Sequence, residues 1–295
     1  MSVEERLDEA FGAAGVVGFL HATEVDGGGE VSYRSDEPVV LASVLKIPVL
    51  LELTRQASAG EIELTGQVTV PASGRTRGST GISVMRDEIR LSWRDMALLM
   101  MSVSDNAATD VVLRRVGIER VNATLRSLGL SRTVLVGDCA AILRDLVDDL
   151  GLGDADTSGG LPPLDVEALR GNRALDSERT VRSTPREMTR LLSMIWRDEA
   201  APPDACAEMR WIMYQQVWPH RLSSAFGDGY RLGAKTGTLP TLRNEAGVVE
   251  HPDGSRYAVA VFTRAASAGH HLPAADASIG TAARIAIDHL RTHRS

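Results

Sequence analysis

Lysine is nearly missing from this chain. Only two of its 32 Lys plus Arg residues, Lys46 and Lys235, are lysine; the rest are arginine. An arginine does not give up its proton in a protein, whereas a desolvated lysine can. An amine that serves as a general base must therefore be one of these two. Cysteine is equally scarce: Cys139 and Cys206 lie far apart and without metal spacing. They allow one disulfide at most, and two inert, half-buried thiols are the expected state. The seven histidines show no metal spacing either, and His270-His271 falls in a loop. No metal or cofactor is expected, and a Ser-His-Asp triad through His220 has no pattern behind it. No apolar run approaches the ~20 residues of a membrane helix. Excess positive charge is absent as well: the net charge is -7, which argues against general nucleic-acid binding. The first residues, Met1 to Glu9, are acidic and helical in pattern rather than basic and then apolar. They do not read as a signal peptide. The expected location is cytoplasmic, or secreted only if a leader has been removed.

What remains is an ordinary globular composition, 43% hydrophobic and 24% charged over 295 residues, enough for one large domain or two lobes. Residues 2 to 12 pattern as a helix. Val16 to Val25 and Glu30 to Arg34 pattern as strands joined at Asp26-Gly27-Gly28-Gly29. A helix is expected from Leu41 to about Ala59, bent by Pro48 and stopped at Gly60. Further helices are expected at Trp93 to Met101, within Val103 to Gly117, at Asn122 to Gly129, Cys139 to Leu150, from Thr184-Pro185, and at Cys206 to Val217. Tyr230 to Thr238, Leu242 to Val249 and Arg256 to Thr263 read as strands, and Ala274 to Leu290 as a closing helix. Strands thus lie at both ends and helices between them. The chain is expected to be α/β: an antiparallel sheet built from both termini, flanked by helices, with an all-helical lobe inserted. On this reading residues 1–42 and 218–295 form the sheet lobe. Residues 43–217 form the helical lobe, with a mobile loop over 151–183.

The chemistry is expected around Ser43. Lys46 follows three residues later, on the same face of a helix start. A buried amine beside a hydroxyl is one way to make a serine nucleophilic, and the positive helix end favours an oxyanion. Ser104-Asp105-Asn106 comes next, after a predicted helix, and Lys235-Thr236-Gly237-Thr238 last, on a predicted strand. Each motif alone is common; the ordered set is not. It resembles the class A β-lactamases and the related penicillin-binding proteins, over nearly the whole chain and least between Cys139 and Thr184.

The resemblance implies a serine nucleophile, Ser43, that forms an acyl-enzyme with a β-lactam or a related amide or ester bearing a carboxylate. Lys46 would take its proton, directly or through a water. To do so near neutrality it must lie ~3 pKa units below a free lysine, ~4 kcal/mol; apolar surroundings and repulsion from Lys235 both push that way. The backbone N–H groups of Ser43 and Thr238 would form an oxyanion hole. Ser104 would pass a proton to the leaving nitrogen, and Asn106 would hold the substrate amide. Lys235 and Thr236 would meet the substrate carboxylate, with Gly237 in the same strand and Arg243 as a helper. Asp105 is expected to bond backbone at its loop. The family's Glu-x-x-Leu-Asn loop, whose glutamate activates water, has no match here; Asp165, Glu167 and Glu178 are the candidate replacements. Three outcomes stay open: a hydrolase, an acyltransferase, peptidase or esterase that releases its acyl group slowly or to another acceptor, and a sensor acylated once. The partner is a small molecule, with no nucleic acid and no membrane.

Overall fold

The structure, a computed structural model, describes residues 1–152 and 164–293. Helix α1 (Val3–Ala13) begins at a capping box between Ser2 and Glu5. It leads into β1 (Val16–Glu24) and β2 (Glu30–Tyr33). The short β3 (Val39–Val40) runs into a 3₁₀ turn, Ala42–Leu45, and then α2 (Lys46–Ser58). Strands β4 (Gln67–Val70) and β5 (Ile89–Ser92) form a separate hairpin. Helices α3 (Trp93–Ser102), α4 (Asn106–Val116), α5 (Ile118–Ser127) and α6 (Cys139–Asp149) follow. Strand β6 (Arg182–Ser183) pairs with β3. After it come α7 (Pro185–Trp196), α8 (Pro203–Met213), β7 (Arg231–Leu239), β8 (Leu242–Glu250), β9 (Arg256–Ala265) and α9 (Pro273–Thr292).

The main sheet is antiparallel, in the order β2-β1-β9-β8-β7. It is built from both ends of the chain and buried on both faces. The period of two along β9 divides its side chains: Tyr257, Val259 and Val261 pack with α1 and α9, whereas Ala258, Ala260 and Phe262 join the core of the helical side. Helix α2 is buried nearly all round, its polar Lys46, Glu52, Thr54 and Gln56 included, and lies at the centre of that helical side, against α3, α4, α5 and α8. Met100 and Met101 are fully buried.

Several boundaries differ from the sequence reading. Ser43 is not inside the α-helix but in the 3₁₀ turn before it. Pro48 is the third residue of α2, where an N–H has no partner within the helix, so it removes no helical hydrogen bond. Helix α8 ends at Met213, so Tyr214 to Val217 are free to run alongside the strand that follows. Of the loop expected to be mobile over 151–183, residues 153–163 lie outside the described residues. The rest is anchored: Asn172 is buried and donates to the Leu146 carbonyl, and Arg173 pairs with Asp149. Cys139 and Cys206 are both free and buried. Among the described residues no helix is long and apolar enough to cross a membrane.

Candidate active site

The sheet's edge strand brings the last motif to the first. β7 is paired on one side only, with β8. It and β8 pack on the 3₁₀ turn that carries Ser43. The approach is close enough to require Gly237: a Cβ there would sit 2.7 Å from the Leu41 carbonyl oxygen and 3.1 Å from Val44 Cγ2. From β8, Asn244 donates its side-chain amide to the Val40 carbonyl, 2.9 Å away, which fastens the segment leading to Ser43 against the sheet. The N–H of Thr236 points away from β8, to Gln216 Oε1 at 2.7 Å. Alternation along the strand therefore sends the Thr238 N–H to the same outer edge. The turn itself is strained, with Ala42 at φ 47° just before Ser43.

The second motif closes the other side. Lys46 is fully buried, and its Nζ donates to the Ser104 carbonyl at 2.7 Å, the Ser104 hydroxyl at 3.1 Å and Asn106 Oδ1 at 3.1 Å. Among the described residues the amine makes no direct hydrogen bond to the Ser43 hydroxyl. Ser104 holds a left-handed backbone, φ 61°. Asp105, fully buried, makes that loop possible. It caps α4 through Ala108 N–H, accepts from the Ser83 hydroxyl at 2.8 Å, and accepts from Ile82 N–H. Asn106 donates its amide to the Arg77 carbonyl at 3.0 Å. The Gly- and Arg-rich loop after β4 is thus a wall of the site. Arg75 fixes that loop by donating to the carbonyls of Val70, Pro71, Ile82, Met85 and Asp87.

Two buried ammonium groups share this region. Burial lowers the pKa of Lys46 below the ordinary lysine value, opposed by Cys139, Asp105 and Asp110. Lys235, also fully buried, is driven well below it by burial and then by the charge of Lys46. Repulsion between the two amines is mutual and disfavours both being charged at once. The Lys235 Nζ donates to the Thr236 carbonyl at 2.9 Å. Behind it, Glu245 is fully buried and accepts from Gln216 Nε2 and, at 2.7 Å, from the Leu222 N–H. Burial raises the Glu245 pKa.

The arginine beside the strand is a different one from that expected. Arg243 turns its guanidinium to the carbonyls of Leu239, Leu242, Gly269 and His270. These four bonds, and Asp276 at 3.6 Å, engage the group in structure. Arg221, which sequence reasoning missed, instead donates to the Thr238 hydroxyl at 2.8 Å and to the carbonyls of Gly237 and Asn244 at 2.9 Å each. Its Nε is held by Asp276 at 2.7 Å. Nothing local in the sequence marks it among so many arginines.

Asp165, Glu167 and Glu178 are all solvent-exposed. Glu167 pairs with Arg170, and Asp165 accepts from the Glu167 N–H. None of the three bonds to Lys46, Ser104 or Asn106. Among the described residues no three His, Cys, Asp or Glu side chains are grouped as metal ligands would be.

Known proteins resemble this chain over its whole length. Residues 2–290 match the β-lactamase enzyme family. A β-lactamase regulatory protein, BlaB of Streptomyces cacaoi, is 30% identical over 306 aligned positions, covering 98% of each chain. The crystal structure of a β-lactamase from Sphaerobacter thermophilus is 25% identical, with a TM-score of 0.78 over 99% of this chain and 98% of that one. The penicillin-binding protein PBP-A is 18% identical and shares the fold, with a TM-score of 0.78 over 98% of this chain and 96% of that one. The ordered motifs, the sheet formed from both chain ends and the whole-length match together make this chain a member of the β-lactamase enzyme family, the β-lactamase-like serine hydrolases.

Proposed function

We propose that Ser43 is acylated by a β-lactam, or by a related amide or ester bearing a carboxylate, and that the acyl group is then released to water. The observation that carries this reading is the setting of Lys46: a buried amine with a lowered pKa, held by Ser104 and Asn106 one helical turn beyond Ser43. A neutral Lys46 takes the Ser43 proton, directly or through a water, as the Oγ–C bond forms. The substrate C–N bond breaks, and Ser104 relays that proton to the leaving nitrogen. The N–H groups of Ser43 and Thr238 stabilise the oxyanion; one such donor is worth ~3 to 4 kcal/mol. Asn106 holds the substrate amide. Lys235 and Thr236 meet the carboxylate, and Arg221 orients the Thr238 hydroxyl beside them.

Burst and steady-state hydrolysis of a chromogenic cephalosporin test the reading. A stoichiometric burst followed by turnover is expected; no reaction at enzyme concentration contradicts it. The regulatory relative favours a second reading, in which the acylated protein is itself the signal. A burst with no turnover over hours would select that one.

A further inference from the structure

Release of an acyl group from Ser43 needs a water to add to the ester carbonyl and a base to take its proton. The Oγ–C bond then breaks and Oγ regains a proton. A general base must stand within hydrogen-bond reach of that water. The carboxylates nearest Lys46 are already engaged. Asp105 is bound by Ile82, Ser83 and Ala108. Asp110 accepts from the Thr76 hydroxyl at 2.6 Å, the Cys139 N–H at 2.8 Å and the Ala140 N–H at 3.0 Å. Asp110 lies one turn beyond Asn106 on α4, so these bonds draw the start of α6 over the face of α4 from which Asn106 reaches Lys46. The first residue of α6 is Cys139, 5% exposed, with its thiol within reach of Thr109 and Asp110 and inside the field of both lysines.

Resting on the acyl-enzyme reading above, we propose that Cys139 sets the lifetime of that acyl-enzyme. Its thiol fills the place beside Lys46 and Asn106 from which a carboxylate would draw the proton from a hydrolytic water. Burial supports this, since it raises the thiol to about 12 and so leaves it no proton-accepting form near neutrality.

The test follows the adduct of a penicillin by intact-mass spectrometry after excess drug is removed. Cys139→Glu is expected to shed it at least tenfold faster than the isosteric Cys139→Gln. Equal lifetimes for the two overturn the proposal. Should the glutamate variant fail to fold, Cys139→Ala decides: release that accelerates with added sodium formate, but not with sodium chloride, supports it, and no acceleration overturns it. Failure of the acyl-enzyme reading looks different, because neither the native protein nor the Cys139 variants would then carry an adduct even while the drug is still present in excess.

Discussion

At the scale of the residue, the proposed mechanism rests on Ser43 as nucleophile and Lys46 as base. Replacing Lys46 by arginine keeps a buried cation but removes the only form able to accept a proton. Acylation measured by stopped flow should slow by about 10²- to 10⁴-fold, with the far-UV spectrum unchanged; a rate within threefold of native would assign the proton elsewhere. The native rate should also depend on pH in a definite direction. The deprotonated amine is the active form, and burial lowers the Lys46 pKa. The rate should therefore rise with pH through an apparent value below that of a free lysine, ~10.4. Because Lys46 and Lys235 are electrostatically linked, that value belongs to the pair. The limb should vanish in Lys46→Arg. These two lysines were legible in the sequence because a titrating amine stands out among arginines. Arg221, Asp110 and Cys139 were not. Arg221 bonds to Thr238 and Asp276, and Asp110 accepts from Thr76 and from the Cys139 N–H, pairings that only the fold creates.

Among the elements, the contact of β7 with the Ser43 turn has the tightest tolerance. Gly237→Ala would place a methyl 2.7 Å from the Leu41 carbonyl oxygen, a backbone atom that cannot rotate away. The strand must shift outward. Overpacking of this kind costs ~1 to 3 kcal/mol, so thermal unfolding should drop by several degrees. Acylation should slow more than stability alone explains, because the Thr238 N–H moves with the strand. Unchanged melting and unchanged acylation would show that the contact has slack. The strands and helices of this region were readable from β-branched and apolar runs and from turn signals, since His251-Pro252-Asp253-Gly254 separates β8 from β9 and Thr184-Pro185 caps α7. The β4–β5 hairpin was not readable. Its strands have four residues each, no tight turn joins them, and the loop between takes its shape from one arginine, Arg75, bonded to five carbonyls.

For the molecule as a whole, the sheet and the helical side are joined partly through a buried histidine. His21 on β1 lies 3% exposed, bonded to Thr189 of α7, with Glu30 at 3.3 Å and Arg186 at 2.9 Å from its Nε2. Asp36 faces the same arginine. Burial, then Arg186, lower the His21 pKa against the pull of Glu30 and Asp36. The unfolded chain therefore takes up this proton first. The stabilisation is complete above the unfolded value, ~6.5, and is lost as pH falls through it towards the lower folded value. Melting temperatures between pH 7.5 and 5 should fall more steeply for the native protein than for His21→Gln; parallel curves would contradict this. The general architecture, a sheet from both termini around inserted helices, was legible from element order alone. The division of β9 between two cores was not, because every position in that strand except Arg256 and Arg264 is apolar or small enough to face either way.

The central claim is that Ser43 becomes covalently acylated, and intact-mass spectrometry of the protein mixed with a penicillin measures it most directly. The account predicts a single added mass equal to the intact drug, mapped by peptide digestion to Ser43 and missing from Ser43→Ala. A native protein that gains no mass, or a Ser43→Ala variant that gains the same mass, would contradict it.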